Sequence, residues 1–90
     1  MKIVAICGAG VGTSAILKLN AERALEALDI EADVTASDVA SVAVAAADAQ
    51  VILTSPELVD RIGPTFAEIV VVQNYFDVDE LTEKLEKALG

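Results

Sequence analysis

Cys7 is the only cysteine of the chain, and there is no histidine anywhere in it. The seven residues after Cys7 are Gly8, Ala9, Gly10, Val11, Gly12, Thr13 and Ser14. A cysteine offers chemistry as its thiolate, which is a nucleophile. Three glycines in five residues let the main chain curl tightly and take positive φ. Their small neighbours leave backbone N–H groups open toward an anion. A helix opening at the end of the run adds its N-terminal partial positive charge at the same place. Thr13 and Ser14 add hydroxyl donors. The stretch reads as a phosphate cradle that uses no Lys or Arg. Cys7 would take a phosphoryl group, and the loop from Gly8 to Ser14 would hold its oxygens by position and electrostatics. Plainer readings stand beside this one. A cysteine can be a small buried hydrophobe, the glycines can serve only a tight turn, and Thr13 or Ser14 can be a helix N-cap as well as a phosphate ligand.

The elements around this stretch decide whether it can work. Lys2 to Ile6 is a short β-branched run that reads as a buried strand ending at the cysteine. Ser14 to Leu28 repeats apolar residues at helical spacing through Leu17, Ala21, Ala24, Leu25 and Leu28, and leaves Lys18, Glu22, Arg23 and Glu26 for water. Glu31 to Ala36 reads as a second strand around Val34. Val39 to Ala47 is a weakly patterned short helix, and Ala49 to Leu53 a third strand. Ser55 and Pro56 open a helix as cap and first residue, and Gly63-Pro64 ends it. Glu68 to Val72 is the fourth strand. Asp77 and Glu80 have capping-box spacing ahead of a last helix with Leu81, Leu85, Ala88 and Leu89 on its apolar face.

This alternation predicts one α/β domain over residues 1–90: a four-stranded parallel sheet in the order 2-1-3-4 with helices on both faces, a doubly wound three-layer sandwich. Ligands bind such sheets beyond the carboxyl ends of the strands, where strand order reverses. For this order the point lies between strands 1 and 3, which is where Cys7 falls. Asp38, Thr54, Ser55, Asn74 and Tyr75 should share that edge. Ser55 and Asp77 read as caps, Asn74 as a rim contact, and Tyr75 and Phe76 either as partner-facing aromatics or as cover for the core.

Neighbouring motifs fail on specific residues. The third glycine of a G-x-G-x-x-G fingerprint would fall at Thr13, and a nucleotide P-loop would need Lys after Gly12. A cysteine phosphatase loop closes with an arginine six residues after its nucleophile. That position is again Thr13, so the bidentate clamp is missing. No Asp or Glu lies in the loop to protonate a leaving group or direct water. A site that accepts phosphate without directing water is a carrier. A small phosphatase with an Arg-less loop, and a non-catalytic regulatory module of the same fold, are the alternatives.

The bulk numbers agree. Ninety residues support one core, and 54% hydrophobic content excludes a disordered chain. No apolar run approaches the ~20 residues that span a bilayer, and no secretory signal is legible. The lone thiol suits a reducing compartment. One Cys and no His argue against a metal site. The formal charge of −9, from 15 acids against 6 bases, argues against nucleic acid as a partner.

The opening K-I-V-A-I-C-G-A-G-V-G-T-S-A-I-L-K, with A-D-A-Q-V-I-L-T-S (Ala47–Ser55) and V-V-V-Q-N (Val70–Asn74), resembles the IIB components of the sugar phosphotransferase system, lactose/ascorbate/galactitol type, over essentially the whole chain. The Gly-rich loop and Lys18 look nearest to the ascorbate/galactitol branch. The resemblance implies a flavodoxin-like (Rossmann-like) fold. It implies a cytoplasmic phosphotransferase recruited to the membrane by its permease. Cys7 would accept phosphate from the phosphohistidine of a IIA protein and pass it to a sugar held by a membrane IIC component. It also implies no cofactor beyond the phosphoryl group carried on Cys7, and no metal. Lys18, Ser55 and Asn74 are candidate partner contacts.

Overall fold

The computed structural model describes residues 1–7 and 11–89, with the main chain alone for 11–14. Four strands form one parallel sheet: β1 (Lys2–Cys7), β2 (Asp33–Asp38), β3 (Val51–Thr54) and β4 (Glu68–Val71), in the order β2-β1-β3-β4. Four helices join and cover them: α1 (Val11–Ala27), α2 (Val42–Ala45), α3 (Val59–Ile62) and α4 (Val78–Leu89). Short 3₁₀ turns, Val39–Ser41 and Pro56–Leu58, run into α2 and α3.

The two faces of the sheet follow from strand alternation. Ile3 and Ala5 of β1, with Val51 and Leu53 of β3, pack against Leu17, Ala21, Ala24 and Leu25 of α1 and Leu81 and Leu85 of α4. Val4, Ile6 and Ile52 turn the other way, onto Val42, Leu58 and Ile62. β1 and β3 are covered on both faces, which is why they are continuous apolar runs. β2 is an edge strand with only Val34 buried, so its polar residues are tolerated.

Several boundaries differ from the sequence expectation. Helix α1 begins at Val11, three residues before Ser14. Val11 to Ser14 are therefore its first turn and not loop, and neither Thr13 nor Ser14 is its N-cap. Parallel pairing with β1 carries β2 through Ser37 and Asp38, in register from Lys2↔Asp33 to Cys7↔Asp38. Glu31 and Ala32 lie outside the strand. The helix expected after Ser55 is a 3₁₀ turn followed by four helical residues, and Ser55 makes no side-chain cap.

The end of α1 is closed by backbone bonds from the Ile30 N–H to the Leu25 carbonyl, 3.0 Å, and from the Asp29 N–H to the Glu26 carbonyl, 3.1 Å. Asp29 takes φ 57 there, in the position glycine favours. Gly63, which ends α3, has φ 74 and ψ −165, a region that side-chain-bearing residues avoid.

Candidate functional site

Cys7 ends β1 and is 5% exposed. Its Cα is paired with that of Asp38 on one side. On the other side the β1–β3 register runs through Ala5↔Leu53, and two residues further brings Ser55 level with Cys7. Helix α1 opens at Val11, four residues on, so its N-terminus lies within about 14 Å of Cys7 along the chain. Gly8, Ala9 and Gly10, expected as phosphate ligands, lie outside the described residues. So do the side chains of Val11, Gly12, Thr13 and Ser14, whose main chain supplies the first-turn N–H groups of α1. Those N–H groups have no acceptor within the helix.

The other edge residues are organised by hydrogen bonds. Asp38 accepts from the Ser41 N–H at 2.8 Å and caps the turn into α2. Asn74 Oδ1 accepts from the Phe76 N–H at 3.0 Å. Its own N–H and that of Gln73 donate to the Glu80 carboxylate at 2.9 and 2.7 Å. Glu80 also takes the Lys84 ammonium at 2.6 Å. The expected capping box is thus half formed. Asp77 Oδ1 receives the Glu80 N–H at 3.2 Å, but the Glu80 carboxylate turns back to hold the β4–α4 loop. Burial alone would raise the Glu80 carboxyl; Lys84 and the two N–H groups outweigh it and hold it below the ordinary range.

Two residues of the edge were not singled out from sequence. Asn20, buried on α1, donates from Nδ2 to the Tyr75 carbonyl at 2.8 Å and ties the β4–α4 loop to the helix. Asparagine at a buried position among apolar α1 residues was the available signal. Glu57 stands on the rim. Its own backbone N–H and then the Ser55 hydroxyl hold its carboxyl below the usual range. It is therefore ionised and unsuited to protonating a leaving group.

Of the candidate partner contacts, Ser55 is buried at this edge and Asn74 is exposed on its rim. Lys18 sits two helical turns below the start of α1 and pairs with Glu22 at 3.3 Å. That is one turn deeper than the expected helix start implied. Tyr75 packs against the core on the α1/α4 side, while Phe76 is 70% exposed. A concavity of about 620 Å³ lies at the opposite end of the sheet. Glu22, Glu26, Asp29, Glu31 and Asp33 line it. Five carboxylates repel an anionic ligand, so the Cys7 edge remains the candidate site. No helix among the described residues is long and apolar enough to cross a membrane.

Residues 2–87 match the family model described as the lactose/cellobiose-specific IIB subunit of the phosphotransferase system. The chain belongs to this family. An ascorbate-specific IIB component from Mycoplasma pneumoniae (strain ATCC 29342 / M129 / Subtype 1) is 32% identical to it over 99% of this chain and 95% of that protein. The structure of the lactose-specific IIB domain from Streptococcus pneumoniae superposes with a TM-score of 0.61 at 21% identity, covering 99% of this chain and 90% of that one. The IIB fold expected from the sequence is the fold observed. The family serves sugar phosphotransfer, and its members work with IIA and IIC partners.

Proposed function

We propose that this IIB domain is a cytoplasmic phosphoryl carrier and that Cys7 is its acceptor. The observation that carries the reading is the place of Cys7: the one thiol in the chain ends the central strand at the point where strand order reverses, just ahead of a 17-residue helix. The thiolate sulfur attacks the phosphorus of a phosphohistidine on a IIA partner. The S–P bond forms as the P–N bond breaks, and the electron pair stays on the imidazole nitrogen. In the second step a hydroxyl oxygen of the sugar, held by a membrane IIC component, attacks the same phosphorus. A base on the IIC side takes the hydroxyl proton, and the S–P electron pair returns to sulfur. The N–H groups at the start of α1, with the Gly8–Ser14 stretch, hold the phosphoryl oxygens between the steps.

The absence of histidine fits a protein whose donor base belongs to its partner. The sequence departs from a hydrolase in having no arginine at position 13, and the ionised Glu57 supplies no acid. The likeness to an ascorbate-specific protein along nearly the whole chain supports an ascorbate-type acceptor, a sugar acid.

Intact mass after incubation with phosphoenolpyruvate, the two general phosphotransferase proteins and an ascorbate-type IIA tests this reading. It requires one phosphoryl adduct, mapped to Cys7 and absent in Cys7→Ser. No adduct with a IIA that is itself phosphorylated, or steady hydrolysis of an aryl phosphate that Cys7→Ser abolishes, counts against it.

A further inference from the structure

The Tyr75 hydroxyl is buried and meets no hydrogen-bond partner among the described residues. A buried hydroxyl left unpaired is a cost to the fold unless a ligand uses it. Three facts place it. The Tyr75 ring packs in the α1/α4 layer, the face onto which Ile3, Ala5 and, by alternation, Cys7 project. Its main chain is pinned to α1 through Asn20. The register of β1 and β3 sets Ser55 level with Cys7, so the ends of three strands converge there.

The electrostatics agree with that placement. Burial pushes the phenol above the usual tyrosine range. The Ser55 hydroxyl pulls it back, the charges of Cys7 and Glu57 push it up again, and the Ser55 main chain lowers it in turn. Ser55 is thus near enough to act on the phenol, yet it does not close a well-formed hydrogen bond with it. The phenol keeps its proton through the neutral range, so it is a donor whenever an anion arrives.

We propose that the Tyr75 hydroxyl donates a hydrogen bond to an oxygen of the phosphoryl group carried on Cys7. This rests on the reading of Cys7 as the carrier. A neutral phenol suits a carrier better than a guanidinium would. It orders the phosphoryl group without adding a full positive charge that has to be left behind when the group moves on.

Two measurements test it. The first follows loss of the phosphoryl group from wild type and Tyr75→Phe by intact mass, alongside thermal unfolding of the unphosphorylated proteins. Tyr75→Phe should lose the group roughly tenfold faster, the scale of one hydrogen bond to a charged acceptor. Its melting temperature should be unchanged or higher, because the substitution removes an unpaired buried hydroxyl. Equal decay, or faster decay with a lower melting temperature, overturns the proposal. An adduct that forms normally and decays equally in the two proteins defeats the role of Tyr75 and leaves the carrier reading intact. No adduct on wild type defeats the carrier reading itself. The second measurement needs no phosphoryl group. Tyr75 is the only tyrosine and there is no tryptophan, so near-ultraviolet absorbance follows its ionisation alone. Its midpoint should fall in Cys7→Ser; an unchanged midpoint overturns the proposal.

Discussion

At the scale of single residues, what the sequence made readable is the position of Cys7, on which the proposed chemistry depends. Cys7 is the one thiol, and its position after a β-branched run was enough to put it at the end of β1. Asn20 and Tyr75 were not readable in the same way, because their roles arise from a contact 55 residues apart and from burial of one atom. Asn20→Ala should therefore cost about 1–2 kcal/mol in denaturant unfolding, the net worth of a part-buried hydrogen bond plus the stranded carbonyl. A loss below a few tenths would show that α1 does not hold the loop. Glu80 gives a pH-dependent case. Its folded-state pKa is depressed, so its contribution is complete above the ordinary value of 4.5 and is lost as pH falls through the folded value. Glu80→Gln should be less stable than wild type by about 1–3 kcal/mol at neutral pH. The gap should narrow in acid unfolding series below about pH 4. A gap constant with pH would contradict the assigned ion pair and N–H contacts.

At the scale of elements, type and order were legible while ends were not. Apolar periodicity located α1 and α4 with their buried faces, Leu17, Ala21 and Ala24 on one and Leu81 and Leu85 on the other. It could not locate the start of α1, since glycine and small residues through position 14 carry no helical stripe. Nor could it show β2 running on through Ser37 and Asp38, because pairing with β1 and not side-chain pattern extends that strand. Helix ends make two opposed predictions. Gly63 has open space where a Cβ would go, so Gly63→Ala is penalised by its backbone angles alone. It should lose about 1–3 kcal/mol. Asp29 holds φ 57 at the close of α1, so Asp29→Gly should be neutral or gain up to about 1 kcal/mol. Chemical denaturation of both variants measures this, and a stable Gly63→Ala would contradict the end of α3 as described.

At the scale of the whole molecule, the sheet order explains why one edge gathers the candidate groups. Parallel strands in the order 2-1-3-4 send every carboxyl end to the same side, and the strand order reverses beside β1, where ligands bind in such sheets. That order was legible because each strand alternates with a helix and crossovers are right-handed. The overall charge of −9 was legible too, but not its layout. Four of the six cations, Lys2, Lys18, Lys84 and Lys87, are committed to ion pairs. An acidic chain of this size repels itself, so its melting temperature should rise with added salt as screening grows. The central claim is chemical: the phosphoryl group rests on sulfur. Phosphorus NMR of the phosphorylated protein tests it most directly, since a thiophosphate resonates apart from phosphohistidine and phosphoserine. A single S–P resonance, lost in Cys7→Ser, is the expected result; an N–P or O–P resonance, or one that survives Cys7→Ser, would contradict the account.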